Sequence, residues 1–261
     1  MALDLTEGTV HLWMVDLSGN TSEDLLRHYF QYLSPDENAR CGRFLLMNDR
    51  VRYLVTRTLV RIALSRYASI TPKSWIFSAD TFGKPYIANP DASASSLRFN
   101  VSHTDNLIAL GVTSEIAVGV DVENRRTRRA PIEVSERYFA INELQDLNAL
   151  PLEHQQDRFF DYWTLKEAYL KARGLGLTIP LDAFSFSFPT ADKILFDVDR
   201  RLGDQAGHWH FWQFNPSPDY VAAICTSRDL VCPTTLVKWI VPLLSESSFE
   251  EIACQPGCRA S

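Results

Sequence analysis

Val118-Gly119-Val120-Asp121-Val122-Glu123 is an apolar, strand-like run that carries two carboxylates two residues apart. Because side chains on a β-strand alternate between its faces, Asp121 and Glu123 are expected on one face and the three valines on the other. Carboxylate oxygens are the ligands that Mg²⁺ takes, usually one or two, with water and substrate phosphate completing its shell. Gly119 lets another backbone or a ligand come close. Taken alone, the run fits a half-buried strand that ends in solvated acids equally well.

Three predicted strands lead into these carboxylates. Alternating apolar residues predict strands at residues 97–103, 107–113 and 116–123, and the short turns between them indicate an antiparallel meander. Ser102 and His103 lie at the end of the first strand. A single histidine at a strand end is more often structural than functional, so His103 alone is a weak signal.

Helix signals appear in both halves of the chain. Ser34-Pro35-Asp36-Glu37 combines an N-cap serine, a proline at the first helical position and an acid at the third, which together form a capping box. Residues 157–173 give the strongest helix prediction, closed by Gly174. The predicted strands beyond it are residues 183–188, 194–198, 208–214, 220–226 and 236–241. Each half therefore shows an α+β pattern, a repeated plan without an evident residue-level repeat.

The composition is that of an ordinary globular protein, since 46% of the 261 residues are hydrophobic and 22% are charged. The formal net charge of −6 argues against nucleic-acid binding. No apolar run approaches the ~20 residues that span a bilayer. The N-terminus lacks a signal-peptide pattern, and the five cysteines suit reduced thiols. We therefore expect a soluble cytoplasmic protein with no nucleic-acid or membrane partner.

Basic residues are concentrated in one region of this acidic chain. Between Arg40 and Arg66 there are seven arginines and one acid, Asp49. A locally basic face indicates an anionic ligand, although a solvated helix surface explains most of these arginines.

Five short segments carry the candidate chemistry. They are Gly83-Lys84-Pro85, 100–104 (NVSHT), 118–123 (VGVDVE), 137–143 (RYFAINE) and 163–171 (WTLKEAYLK). In this order and spacing they resemble the Sfp-type phosphopantetheinyl transferases, the surfactin-synthetase activator family. The resemblance covers most of the chain, from Ser34 to Asp182. Ala140 and Ala168 stand where that family usually has serine, and neither change removes an acid or a lysine.

The resemblance implies a fold and a reaction. The fold is α+β, a pseudo-dimer of two similar halves, each with helices packed on a small antiparallel sheet, and the active site lies where the halves meet. Residues 1–117 supply coenzyme A contacts, and residues 118–261 supply the metal site, the catalytic helix and the carrier-docking surface. The enzyme is expected to be a monomer. It transfers the 4′-phosphopantetheine arm of coenzyme A to a serine of an acyl or peptidyl carrier protein and releases adenosine 3′,5′-bisphosphate. Mg²⁺ is the expected cofactor, with Mn²⁺ as an alternative.

The reacting groups are assigned to the second half. The predicted metal ligands are Asp121, Glu123 and Glu167, and Asp121 shares the metal with the coenzyme pyrophosphate. Glu167 is the preferred general base for the carrier serine, with Glu143 as the alternative base and as an alternative metal ligand through water. Lys171 is expected to face the transferred phosphate, and Lys166 to help hold the ligand.

The nucleotide end of coenzyme A is assigned to the first half. The positions that match the family's ligand contacts are Arg52, Gly83, Lys84, Pro85, Ser102 and His103, and Arg40 is a further candidate. The 3′-phosphate of the coenzyme suits charge-assisted hydrogen-bond donors.

Carrier docking is assigned to two segments that follow the acids in sequence. These are the basic linker, defined as Arg125, Arg126, Arg128 and Arg129, and residues 174–188. The alternative interpretation is a solvated loop followed by core residues.

Two other functions fit the same residues. A metal-dependent hydrolase or phosphotransferase would use these acids on a nucleotide pyrophosphate without a protein acceptor. A catalytically silent coenzyme A or carrier-binding module would not need the acids and lysines, which makes it the weaker alternative.

Overall fold

The structure is a computed structural model that describes residues 3–5, 8–18, 23–127, 129–227, 235–240, 250–252 and 259–260. The α-helices are α1 (Glu23–Tyr29), α2 (Pro35–Cys41), α3 (Met47–Leu64), α4 (Ile141–Ala149) and α5 (Leu152–Arg173). The β-strands are β1 (Thr9–Asp16), β2 (Phe77–Ala79), β3 (Pro85–Ile87), β4 (Leu97–Thr104), β5 (Leu107–Ser114), β6 (Val118–Asn124), β7 (Phe184–Thr190), β8 (Lys193–Val198), β9 (Trp209–Phe214), β10 (Tyr220–Ser227), β11 (Thr235–Ile240), β12 (Glu250–Ile252) and β13 (Arg259–Ala260). None of the helices in these residues has the length and hydrophobicity to cross a bilayer.

Two compact units make up the chain. Unit 1 comprises Met1–Glu115 and Leu236–Ala253, and unit 2 comprises Ile116–Thr235 and Cys254–Ser261. Each unit contains helices and a sheet, and the described strand pairs are antiparallel except for the short pair β13–β8. This arrangement confirms the α+β class. The division of functions between residues 1–117 and 118–261 stays a prediction.

Unit 1 is built on a five-stranded sheet with the order β12-β11-β1-β5-β4, and β2 and β3 form a separate hairpin. Strand β5 pairs antiparallel with β1 on one side and with β4 on the other. Helix α3 packs on this sheet through one apolar face. Leu54 and Leu59 of α3 share the buried core with Ile108 and Leu110 of β5.

Unit 2 is built on a six-stranded sheet with the order β6-β10-β9-β13-β8-β7, and α5 packs against β6 and β10. One face of helix α5 packs against aromatic side chains in the core of unit 2. The Tyr169 ring lies 4.7 Å from Phe184, 5.0 Å from Phe196 and 5.3 Å from Trp209, measured between centroids. The helix that carries the predicted reacting groups is therefore fixed on the sheet by packing.

Strand β6 begins unit 2, which corrects the predicted meander. Strands β4 and β5 pair as predicted, with His103 opposite Ile108. Strand β6 instead pairs antiparallel with β10, with Asp121 opposite Ala223. The reason is that β1 and β4 occupy both edges of β5. The arrangements β1-β5-β4 and β6-β10-β9 are thus alike: a strand, then helices, then a hairpin whose second strand pairs with the first.

Helices α2 and α4 begin with the same backbone geometry but different caps. At Ser34, with φ −69° and ψ 162°, the Glu37 N–H donates to the serine Oγ and the Ser34 N–H donates to the Glu37 carboxylate, at 3.3 and 2.9 Å. At Ala140, with φ −68° and ψ 159°, the backbone N–H donates to Glu143 at 2.8 Å. Because alanine has no side-chain oxygen, only half of the capping box forms there.

Replacing Ala140 with serine should therefore stabilise the protein. The new hydroxyl would accept the N–H of Glu143 and complete the box, which is worth about 0.5–2 kcal/mol. Urea unfolding measures the gain, and Ser34→Ala is the matched control, with an expected loss of similar size. A lower midpoint for Ala140→Ser would show that the backbone at this cap leaves no room for the hydroxyl.

A buried ion pair holds the long helix of unit 1 in place. The Glu37 carboxylate accepts from Arg61 Nε at 2.8 Å and also pairs with Arg57. The Arg61 guanidinium, 2% exposed, donates to the carbonyl oxygens of Pro72 and Trp75 at 2.9 and 3.1 Å. The first turn of α2, the last turn of α3 and the segment after α3 are thereby joined through one cation.

Candidate active site

Gly119 sets the distance between β6 and α5. A Cβ atom on this residue would lie 2.0 Å from the carbonyl oxygen of Ala168 and 2.4 Å from the backbone nitrogen of Ala172. The backbone that comes close to Gly119 is therefore that of α5, which only a residue without a side chain permits. Ala168 is fully buried in this contact region, so its small side chain suits the position that the family usually fills with serine.

This contact brings Asp121, Glu167 and Lys171 together. Asp121 is 4% exposed, and its Oδ1 accepts from Lys171 Nζ at 2.6 Å. The same ammonium donates to the carbonyl oxygen of Val120 at 3.1 Å. Burial raises the pKa of Glu167, the negative charge of Asp121 raises this pKa further, and Lys171 opposes both effects. Three of the predicted site residues thus form one charged cluster.

The predicted set of three metal-binding carboxylates is only partly assembled. Glu123 is half-buried near the end of β6, opposite Val221. Within the residues that the structure describes, no group of three or more His, Cys, Asp or Glu side chains is arranged to hold a metal ion. Asp121 and Glu167 do interact electrostatically, and two carboxylates suffice for a Mg²⁺ ion that is also bound by substrate phosphates. The donor set therefore fits the ion, and the metal assignment stays a prediction.

Glu143 and Lys166 form a second buried pair, like that of unit 1. Both side chains are 0% exposed, and their charged atoms lie 2.8 Å apart. The Lys166 ammonium also donates to the carbonyl oxygens of Leu181 and Phe184 at 2.7 and 2.8 Å. Its three N–H donors are thereby all used within the protein. Lys166 thus helps to hold α5 in place, and its predicted contact with the ligand stays a prediction.

The same contacts give Glu143 a structural role. Its carboxylate accepts from the backbone N–H groups of Ala140 and Phe186 at 2.8 and 2.9 Å, besides the ammonium. Burial raises the pKa of Glu143, and the Lys166 charge opposes this shift. A carboxylate that is fully buried and bonded in this way is poorly placed to take a proton from a carrier serine. The geometry favours Glu167 as the base, which stays a prediction.

In unit 1, Arg52 reaches the turn that follows Ser102 and His103. Its guanidinium pairs with Asp49 and donates to the carbonyl oxygen of Asp105 at 3.4 Å. Ser102 is buried, and His103, next to it on β4, is exposed. The sequence prediction did not include Asp49, although its position three residues before Arg52 on a helix is the usual spacing of such a pair.

The Gly83-Lys84 turn connects β2 and β3 and is held by hydrogen bonds to Asp80. One oxygen of the Asp80 carboxylate accepts from the backbone N–H groups of Phe82 and Lys84, both at 2.9 Å. Gly83 has φ +84°, a conformation that favours glycine. Strand β3, which begins at Pro85, packs beside β4. The predicted nucleotide contacts in this hairpin thus lie next to the strand that carries Ser102 and His103.

Arg40 lines a surface cavity. The cavity has a volume of about 620 Å³ and is lined by Asp36, Ala39, Arg40, Arg43 and Phe44. Arg40 itself lies over the Tyr53 ring, 5.6 Å from its centroid. Arg43 was not among the predicted contacts, because nothing in its sequence position separates it from a solvated arginine.

The basic linker is less exposed to solvent than its sequence indicates. Arg125 is 9% exposed and pairs with the buried Asp161, so it is part of the fold. The side chains of Arg126 and Arg129 are 54% and 87% exposed and make only weak surface ion pairs. Arg128 lies outside the described residues. Carrier docking on this linker stays a prediction, for which Arg126 and Arg129 offer the exposed charge.

Comparison with known proteins gives the family. Residues 117–225 match the family model described as "4'-phosphopantetheinyl transferase superfamily", and residues 19–115 match "4'-phosphopantetheinyl transferase, N-terminal". The chain is 37% identical over 225 residues to 4'-phosphopantetheinyl transferase HetI of Nostoc sp., which is 86% of this chain and 90% of HetI. It is 29% identical over 208 residues to 4'-phosphopantetheinyl transferase Sfp of Bacillus subtilis, 79% of this chain and 88% of Sfp. These matches confirm the resemblance seen in the motifs, and the chain belongs to the 4'-phosphopantetheinyl transferase superfamily.

Proposed function

We propose that this phosphopantetheinyl transferase uses coenzyme A to modify a serine hydroxyl of an apo acyl or peptidyl carrier protein, with Asp121, Glu167 and Lys171 as its reacting cluster. Membership of the family supports the reaction. The observation that carries the residue assignment is the contact at Gly119, because it places Glu167 and Lys171 of α5 beside Asp121 of β6.

The proposed reaction is a displacement at phosphorus. The serine oxygen attacks the β-phosphorus of the coenzyme pyrophosphate, and the bond from this phosphorus to the bridging oxygen breaks, releasing adenosine 3′,5′-bisphosphate. The serine proton passes to the Glu167 carboxylate, directly or through water. Position more than basicity suits Glu167 to this role, because a carboxylate beside a cation keeps a low pKa. The Lys171 ammonium is placed to balance negative charge on the phosphoryl oxygens.

Asp121, Glu123 and Glu167 are the carboxylates proposed to hold Mg²⁺ or Mn²⁺. When bound, such an ion neutralises charge on the pyrophosphate. Excess EDTA should stop transfer, and added Mg²⁺ should restore it.

Intact mass spectrometry tests the proposed function directly. Purified protein, coenzyme A and Mg²⁺ are incubated with several apo carrier proteins, and the expected result is one phosphopantetheine added to a carrier serine. Breakdown of coenzyme A at the same rate with and without a carrier would indicate a pyrophosphate hydrolase instead. Binding of coenzyme A without either reaction would indicate a silent binding module.

His103→Ala should weaken coenzyme A binding selectively. His103 is exposed at the end of β4, near the turn that Arg52 contacts, and is proposed to donate to the 3′-phosphate. Loss of a hydrogen bond to a charged group should raise the Michaelis constant about tenfold or more. The constant for 3′-dephospho-coenzyme A should hardly change. His208→Ala, an exposed histidine of unit 2, is the control, and equal weakening of both substrates would remove this role from His103.

The exposed part of the basic linker is proposed to attract acidic carriers. Reversing Arg126 and Arg129 to glutamate should raise the Michaelis constant for the carrier and flatten its salt dependence, with little change for coenzyme A. Lys193→Glu with Arg201→Glu is a matched double reversal on the surface of unit 2. Equal effects of the two double variants would mean that net charge alone matters.

The monomeric state and the cytoplasmic location are predictions that rest on the sequence. Gel filtration checks the monomeric state.

A further inference from the structure

A single carboxylate binds three side chains near the end of α5. Asp204 lies in the connection from β8 to β9 (residues 199–208), and its side chain is 8% exposed. Its carboxylate accepts from the Tyr169 hydroxyl and pairs with the Arg173 guanidinium. The indole N–H of Trp209 donates to both carboxylate oxygens at 2.9 Å. We call these four residues the Asp204 cluster.

The members of the Asp204 cluster also hold one another. The Arg173 guanidinium donates to the Tyr169 hydroxyl oxygen at 2.8 Å and lies over the Tyr169 ring. Trp209, the first residue of β9, meets that ring edge-on with the centroids 5.3 Å apart. The backbone N–H of Gln205 donates to the Asp204 carboxylate at 2.8 Å. The carboxylate is therefore fixed in its own loop and joins α5 to the sheet.

The Asp204 cluster lies where α5 is least secured by its own hydrogen bonds. Helix α5 ends at Arg173 and is followed by Gly174 in the left-handed conformation. Carbonyl groups in the last turn of a helix have no partner within the helix, and such turns fray. Tyr169 and Arg173 are one turn apart, so Asp204 bridges the last turn from outside the helix.

Lys171, the proposed reacting cation, lies between the two anchored residues. Two residues correspond to about 200° around a helix, so Lys171 leaves α5 on the side away from Tyr169 and Arg173. Its ammonium donates to Asp121 and to the carbonyl oxygen of Val120 on β6. The last turn of α5 is therefore attached on two sides, by Lys171 to β6 and by Asp204 to β9.

The attachment through Lys171 is weakened in the proposed reaction. An ammonium has three N–H donors, and Asp121 and Val120 take one each. Donors that turn to phosphoryl oxygens no longer hold β6. The bonds of Asp204 face the opposite side of the helix and are independent of this change. Asp204 is then the attachment that keeps the last turn in place.

Stability alone is a poor explanation for a charged pair at this position. The Tyr169 ring is fully buried among aromatic side chains, so packing already holds α5 without a charge. A buried ion pair adds little net stability over an apolar contact, whereas its hydrogen bonds fix an orientation. The pair of Asp204 with Arg173 therefore suits the fixing of a position.

We propose that Asp204 is a positioning residue for Lys171. It keeps the last turn of α5 on the sheet while the lysine binds the transferred phosphate. Asp204 itself touches neither substrate. This role rests on the proposed function, because the phosphate contact of Lys171 belongs to that function.

Asp204→Ala tests this role in two measurements, both made at a temperature below the unfolding transition. The kcat of transfer should fall at least about tenfold, because a displacement of about 1 Å can lower a rate about 10²-fold. The Michaelis constants for coenzyme A and carrier should stay within about twofold. Amide hydrogen exchange without substrate should become at least about tenfold faster at residues 170–174 and stay unchanged in β10.

A second variant and a control accompany it. Arg173→Met removes one attachment, leaves Asp204 bonded to Tyr169 and Trp209, and should change both quantities in the same direction. It keeps the role testable if Asp204→Ala does not fold. Asp199→Ala, in the same connection, removes an aspartate that pairs with the exposed Arg201 and should change neither quantity.

Two results would overturn the role of Asp204. The first is an unchanged kcat in folded variants whose last turn exchanges faster, since transfer would then not need the turn to be held. The second is a lower kcat with unchanged exchange at residues 170–174. Absence of phosphopantetheine transfer by the wild-type protein would count against the proposed function alone, because the exchange measurement uses no substrate.

Discussion

Replacing Gly119 with alanine is expected to abolish transfer and to destabilise unit 2 by about 3 kcal/mol or more. The added carbon would overlap the Ala168 carbonyl oxygen and the Ala172 nitrogen, and a backbone cannot rotate out of the way as a side chain can. Overpacking usually costs about 1–3 kcal/mol, and more when the backbone must move. A shift of α5 by even about 1 Å would separate Lys171 from Asp121, and such a displacement can lower a rate about 10²-fold.

Urea unfolding and transfer to an apo carrier measure the two effects of Gly119→Ala. Gly207→Ala is the matched control, because a Cβ on Gly207 meets nothing within 4 Å. It should change stability by less than about 0.5 kcal/mol. An active Gly119→Ala variant with an unchanged midpoint would mean that α5 does not rest on this residue.

Glu167→Gln is expected to lower the transfer rate roughly 10²-fold or more, which is the usual contribution of a general base. The ligand-free protein should be as stable as wild type or slightly more stable, since the change removes a carboxylate that is half-buried and repelled by Asp121. Single-turnover transfer and thermal unfolding give the two quantities. Loss of Mg²⁺ binding in the same variant would identify Glu167 mainly as a metal ligand.

Glu143→Gln should give the opposite pattern. It leaves the Lys166 ammonium buried without its counter-charge, a change that typically costs about 3–5 kcal/mol. The folded fraction should retain transfer activity at low temperature. If Glu143→Gln stays folded and is inactive while Glu167→Gln is active, the two roles must be exchanged. Glu153→Gln, at an exposed position in the first turn of α5, should be neutral in both measurements.

Local sequence patterns predicted the elements well because local rules decide them. The capping box at Ser34 begins a helix, and α5 ends at Gly174, whose φ of 69° is the left-handed conformation expected of a glycine cap. Gly119 in β6 predicted the close approach of another backbone or a ligand, and the backbone of α5 lies there. Pairing of β6 was mispredicted because pairing depends on which edges are already occupied, and β1 lies about a hundred residues away in sequence from β5.

Burial of charged residues could not be predicted from sequence. Lys166 and Arg125 lie in segments rich in charge, where a solvated side chain is the usual outcome. Each is buried because an acid distant in sequence meets it, Glu143 for Lys166 and Asp161 for Arg125. Both cations therefore contribute to the framework that holds α5.

The two buried pairs allow the two long helices to be aligned residue by residue. Arg61 of α3 and Lys166 of α5 hold the same place: each bonds the glutamate at the start of an earlier helix and carbonyl groups beyond its own. The next residue is Ile62 in one helix and Glu167 in the other. The same scaffold is thus built twice, once with the acid and once with an aliphatic side chain in its place. Unit 1 therefore shows the same arrangement of helices and buried ion pair with Ile62 in place of the proposed base, Glu167.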